Sequence, residues 1–160
     1  MTDNLPPKCK RISSIIGCDM MCRQSVMHIP RQPPELPLRA VLFEQTVLPE
    51  VIVGLGKIPL APYGTPGTWE LCARLERLAP EYDAILLENH GVVTCGQDLT
   101  TAYQRLETVE QFAKILLTAE SLGGPHLLPH AEVRKLIAAR SRYGVTSRES
   151  SVDFRPLPIP

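Results

Sequence analysis

The order of patterns along the chain predicts an α/β protein. Short apolar runs of strand length alternate with stretches of helical periodicity. One run, Ile85-Leu86-Leu87 with Ala84, is continuously apolar and suits a strand covered on both faces. One stretch, from about Leu99 to Leu122, carries an apolar face too long and too regular for anything but a helix. A composition break adds the third observation. All eight aromatic residues follow Leu42, whereas residues 1–40 hold six of the 16 prolines and three of the five cysteines.

Residues 1–40 therefore read as an irregular Pro/Cys-rich leader. Pro30-Arg31-Gln32-Pro33-Pro34-Glu35-Leu36-Pro37 cannot sustain a helix or a central strand, because each proline lacks a backbone donor and restrains its predecessor. From 41 to 145 the patterning is that of a folded unit. Val51-Ile52-Val53, closed by Gly54 and Gly56, reads as a strand. Ile58 to Tyr63 is a short extended piece. Thr65 or Thr68 can cap a helix running to about Ala79, with Trp69, Leu71, Leu75 and Leu78 at helical spacing and Pro80 beyond.

Asp83–Leu87 is the next strand, Asn89-His90-Gly91 a turn, and Val92–Cys95 a second strand. Asp98 is placed to cap the long helix, whose apolar face comprises Leu99, Ala102, Tyr103, Leu106, Val109, Phe112, Ala113, Leu116 and Leu117. Glu107 and Glu110 fall on its surface side, and Gly123-Gly124 stops it. A last helix, Ala131 to Arg142, packs Val133, Leu136 and Ile137 and ends at Gly144. Residues 146–160 read as a disordered tail.

Charge excludes some functions. The 17 basic and 17 acidic residues cancel, which argues against binding nucleic acid or membranes through bulk electrostatics. No apolar run reaches the ~20 residues of a membrane span. No secretory signal is evident, so the cytoplasm is the expected location.

His90 is the strongest candidate for chemistry. An imidazole at the end of a buried strand suits a metal ligand or an acid–base group, and equally a histidine hydrogen-bonded in its turn. Cys9, Cys18, Cys22 and His28 have the right number for a zinc knuckle. Their C-x8-C-x3-C-x5-H spacing and the lack of surrounding apolar residues favour incidental thiols with no disulfide framework. His126 and His130 are separated by Pro129 and cannot share a helical face. Gly54-Leu55-Gly56 lacks the rest of a dinucleotide fingerprint. Glu50 reads as a surface carboxylate and Tyr143 as a capping aromatic.

Three blocks in one order resemble the class II aldolase/adducin family. They are Val47–Val53, Ile58–Thr68 with its Pro62-Tyr63-Gly64-Thr65, and Leu86-Leu87-Glu88-Asn89-His90-Gly91-Val92-Val93. Gly96-x-Asp98-Leu99-x-x-Ala102-Tyr103 and the closing Tyr143-Gly144 continue the pattern. The resemblance implies a three-layer α/β/α fold around a central, mainly antiparallel sheet, with the amino-terminal part missing or replaced. It implies an aldehyde-lyase that cleaves a small phosphorylated ketose of the fuculose-phosphate type, or epimerises a related sugar phosphate. Homotetramers are expected.

The family's metal, Zn2+ or another divalent ion, is held by an H-x-H pair and the N-H-G histidine. His90 matches the last. Counting back from His90 places the pair near Met27-His28-Ile29-Pro30, where His28 is the one histidine. Tyr143 fits the family's carboxyl-terminal tyrosine, which protonates the leaving fragment. Such an ion takes up the negative charge that develops as the carbon–carbon bond breaks. The alternative is a non-catalytic, adducin-like assembly module.

Overall fold

The computed structural model describes residues 45–145 together with Phe43 and, as backbone, Asp19–Arg23. Its sheet has four strands: β1 (Asp19–Arg23), β2 (Leu60–Ala61), β3 (Ala84–Leu87) and β4 (Gly91–Gly96), in the order β1-β4-β3-β2. The helices are α1 (Pro49–Gly54), α2 (Trp69–Leu78), α3 (Leu99–Ser121) and α4 (His130–Ala139), followed by a 3-10 turn, Arg140–Tyr143. The class is α/β, and the small sheet is mixed. β4 runs antiparallel to both β1 and β3, whereas β2 and β3 are parallel.

The unbroken apolar run of β3 has a plain cause. Ile85 and Leu87 point into one cluster with Val93, Cys95, Cys72, Leu75 and Ala79 of α2 and its end. Ala84 and Leu86 point the other way, into a cluster with Val92, Val51, Leu55, Leu106, Val109, Phe112 and Leu116. Side chains alternate along a strand, so an element covered on both faces must be apolar at every position. Phe43 closes the second cluster edge-on to Phe112, with ring centroids 5.8 Å apart.

Polar contacts lock this packing. Buried Thr94 donates its hydroxyl to Ala102 O at 2.8 Å, tying β4 to α3. Arg105 of α3 reaches Asp83 Oδ1 at 3.0 Å and also donates to Cys95 O, so it bridges the start of β3 and the end of β4. Cys95 N donates to Asp83 O at 2.9 Å across the same point. Gly96 lets the chain enter α3 tightly. A Cβ there would stand 2.5 Å from Ala102 N.

Several expectations are met: β2 within the extended piece, α2, β3, the turn, β4, and α3 behind Asp98. Others are corrected. Val51-Ile52-Val53 belongs to helix α1, not to a strand. Pro49 sits in its first turn, where a fixed φ and a missing N–H cost nothing, and Glu50 complements the helix dipole. Thr68 is the N-cap of α2, but its hydroxyl donates to Thr65 O at 2.6 Å and does not cap the helix.

The irregular reading of residues 1–40 is corrected at Asp19–Arg23. Asp-Met-Met-Cys-Arg has no β-branched or aromatic residue, and pairing with β4 makes it a strand. The remaining residues of the leader and the tail 146–160 lie outside the described residues. The buried stripe of α3 is narrower than expected. Ala102, Leu106, Val109, Phe112 and Leu116 are buried, while Leu99, Tyr103 and Leu117 are exposed. α4 stops at Ala139 and tightens into the 3-10 turn before Gly144, which has φ 70°.

Candidate functional site

The parallel pairing of β2 with β3 brings their carboxyl-terminal ends to one end of the sheet. The β3–β4 turn and the start of β4 lie there too, and β1 ends beside them, Arg23 opposite Val92. The turn runs through Glu88-Asn89-His90 and is closed by His90 N donating to Leu87 O at 3.1 Å. Its one left-handed residue is Asn89, at φ 55°. Asparagine is among the few residues with a side chain that adopts this conformation readily. The conformational demand thus falls on Asn89 and on Gly91, the first residue of β4, which takes φ 158°.

His90 emerges from this turn half-buried, on a backbone fixed by two paired strands. Among the described residues its imidazole has no hydrogen-bond partner, which leaves both ring nitrogens available. Beside it, Glu88 is exposed and its carboxylate Oε2 accepts the backbone N–H of Tyr63 at 2.7 Å. Neither Glu88 nor Tyr63 stood out in the sequence as a site residue. Their link joins positions 25 apart and leaves no local pattern.

Tyr143 lies in the 3-10 turn and is 71% exposed. The turn packs on α1 and α4. It is held by buried Arg140, whose Nε donates to Val53 O at 3.0 Å. No hydrogen bond joins Tyr143 to His90 among the described residues.

A catalytic zinc takes three protein ligands. At this end of the sheet the described residues place one imidazole, His90, and nowhere among them is a group of three His, Cys, Asp or Glu arranged to hold a metal, so by themselves they do not form such a centre. His28 lies outside the described residues, as do Cys9, Cys18 and the side chain of Cys22. Cys72 is disulfide-bonded, which corrects the expectation of a chain without disulfides. Cys95 is free and buried. His130 opens α4 and His126 precedes it in the loop, so the two share no helical face. Glu50 is an exposed carboxylate in the first turn of α1.

No helix among the described residues is long and apolar enough to cross a membrane. The profile of the class II aldolase and adducin N-terminal domain matches residues 32–117, starting ahead of the boundary expected at 41. The chain is 40% identical over 68 residues to a 3-oxo-tetronate 4-phosphate decarboxylase of Escherichia coli K12, covering 42% of this chain and 32% of that protein. It is 32% identical over 100 residues to an L-fuculose phosphate aldolase of Haemophilus influenzae, covering 62% and 46%.

A solved L-fuculose 1-phosphate aldolase superposes with a TM-score of 0.55 at 31% identity, over 68% of this chain and 50% of that one. The chain thus spans between about a third and a half of the length of these curated relatives. The matched stretch contains α1, β2, α2, β3, the His90 turn, β4 and most of α3, and on that match the chain belongs to the class II aldolase and adducin N-terminal domain family.

Proposed function

We propose that this chain contributes to a lyase that breaks a carbon–carbon bond in a small phosphorylated keto sugar or keto-sugar acid. The observation that carries the reading is the family match running unbroken through the strand–turn–strand unit that presents His90. The activities named for the two relatives share one chemical demand. Retro-aldol cleavage of a ketose phosphate and loss of carbon dioxide from a 3-oxo acid both leave an electron pair on the carbon next to a carbonyl. Either reaction needs positive charge at that carbonyl oxygen and a proton for the carbon that keeps the electron pair.

In this reading His90 and His28 are metal ligands, and a bound divalent ion supplies Lewis acidity to the carbonyl oxygen. The strand pair around His90 holds its backbone at the sheet end, and an imidazole there suits a ligand role. Tyr143 is the proton donor to the fragment left with that electron pair. Its exposure suits a homo-oligomer, a tetramer in the family, in which one subunit lends the phenol to another's site. We also infer a three-layer α/β/α domain over 41–145, with β1 added to its sheet from the preceding segment.

Equilibrium dialysis of the full chain with zinc, beside His90→Ala, tests the metal role. Assays with a ketose 1-phosphate and a 3-oxo acid phosphate follow turnover. One zinc per chain is expected in the wild type and none in the variant. Turnover should fall more than about a hundredfold in the variant, since removing an outer partner of a metal ligand already costs about 10–100-fold. A wild-type chain that holds no zinc and turns over neither substrate would sink the lyase reading and favour the assembly module.

A further inference from the structure

The hydrogen bonds between β2 and β3 stop in an informative place. Leu86 N donates to Pro59 O at 2.9 Å and Glu88 N to Ala61 O at 3.1 Å. A regular parallel ladder then continues with its evenly spaced, slanted bonds. Its next rung would run from Tyr63 N to the backbone carbonyl of Glu88. The chain instead enters the turn with Asn89 at φ 55°, and Tyr63 N donates to the Glu88 side chain at 2.7 Å. The carboxylate replaces the missing backbone rung.

We propose that Glu88 is a positioning residue for His90. Its side chain bolts the segment that follows β2 onto the turn that carries the imidazole, so the two hold one geometry. A hydrogen bond to an ionised acceptor is shorter and stronger than a neutral one, and this one joins backbone to side chain across 25 positions. Tyr63, half-exposed at the same end of the sheet, is thereby kept beside the His90 turn. The proposal rests on the reading that His90 works at this site.

The test uses the full chain as wild type, Glu88→Ala and Glu88→Gln, at one fixed pH. NMR follows the exchange of the Tyr63 amide and the ring resonances of His90, and steady-state assays separate kcat from KM. In Glu88→Ala the Tyr63 amide should exchange about tenfold faster, as loss of a charged hydrogen bond implies. The His90 resonances should shift or broaden, and kcat should fall with KM little changed. Glu88→Gln keeps an acceptor oxygen and should restore all three.

Unmoved His90 resonances in Glu88→Ala would overturn the proposal, as would a Gln variant indistinguishable from Ala. If the Ala variant does not fold, Glu88→Asp, one methylene shorter, is read by the same signals and the same outcomes decide. A wild type without turnover overturns the lyase reading alone, because the NMR coupling between Glu88 and His90 is measured without substrate.

Discussion

One missing carbon at Gly56 decides how the Tyr143 turn meets the rest of the chain. Gly56 has φ +73°, and a Cβ there would lie 2.7 Å from Nη1 of buried Arg140. That guanidinium is the bolt between the carboxyl-terminal turn and the end of α1, through Val53 O. Gly67, at φ +80°, has nothing within 4 Å of its would-be Cβ. Both alanine variants meet the left-handed cost of about 1–2 kcal/mol, but only Gly56→Ala must also displace Arg140. Urea unfolding should show Gly56→Ala losing more stability than Gly67→Ala by about 1–2 kcal/mol, as a strained core contact does. Equal losses would mean that Arg140 yields without consequence. The glycines at 54 and 56 were visible in the sequence, yet the reason for Gly56 was not, because Arg140 is remote in the chain. The place of His90 in the fold was legible for the opposite reason: its buried strand, its turn and its partner strand are contiguous.

Among the elements, α3 was the most legible because its start signal is local and chemical. The Asp98 carboxylate accepts Thr101 N–H at 2.7 Å, and that bond, from a backbone donor the helix cannot otherwise satisfy, lowers the Asp98 pKa below the ordinary aspartate value. A carboxyl depressed in the folded state adds stability that is fully present above its unfolded pKa of about 3.9 and is lost as pH falls through the folded value. Asp98→Ala should therefore lower the thermal midpoint at pH 7, and the gap to wild type should narrow steadily below about pH 4. A gap that stays constant from pH 7 to pH 2.5 would mean that the charged cap contributes nothing. By contrast α1 misleads. Val51, Ile52 and Val53 favour strands by propensity, but six residues with Pro49 in the first turn gain more by burying Val51 and Ile52 as a helix. The proline and Glu50 were the available clue. Short elements take their form from tertiary packing, which no local pattern carries.

For the molecule as a whole, the break in composition near residue 41 and the limit of the fold do not coincide. Aromatic-free, proline-rich sequence is poor core material, and that made residues 1–40 look foreign to the domain. Yet Asp19–Arg23 pairs along nearly the whole of β4, from Asp19 opposite Gly96 to Arg23 opposite Val92. The partnership places β4 inside the sheet, between β3 and β1, and every residue of β4 is buried. Without β1, β4 would become an edge, presenting a row of unpaired backbone groups on an apolar strand. Such edges recruit other chains. A chain of residues 41–160 should consequently leave the discrete species of the full chain and form high-mass aggregates in sedimentation velocity, with a lower urea midpoint. Restoring residues 1–40 should reverse both. If the shorter chain sediments as one discrete species with an unchanged midpoint, the leader stands outside the fold and composition alone marked the boundary. The same comparison bears on the site, because β1 ends at the His90 end of the sheet and His28 follows β1 in the sequence. Zinc retention by the full chain but not by a soluble 41–160 chain would place the second ligand in that segment.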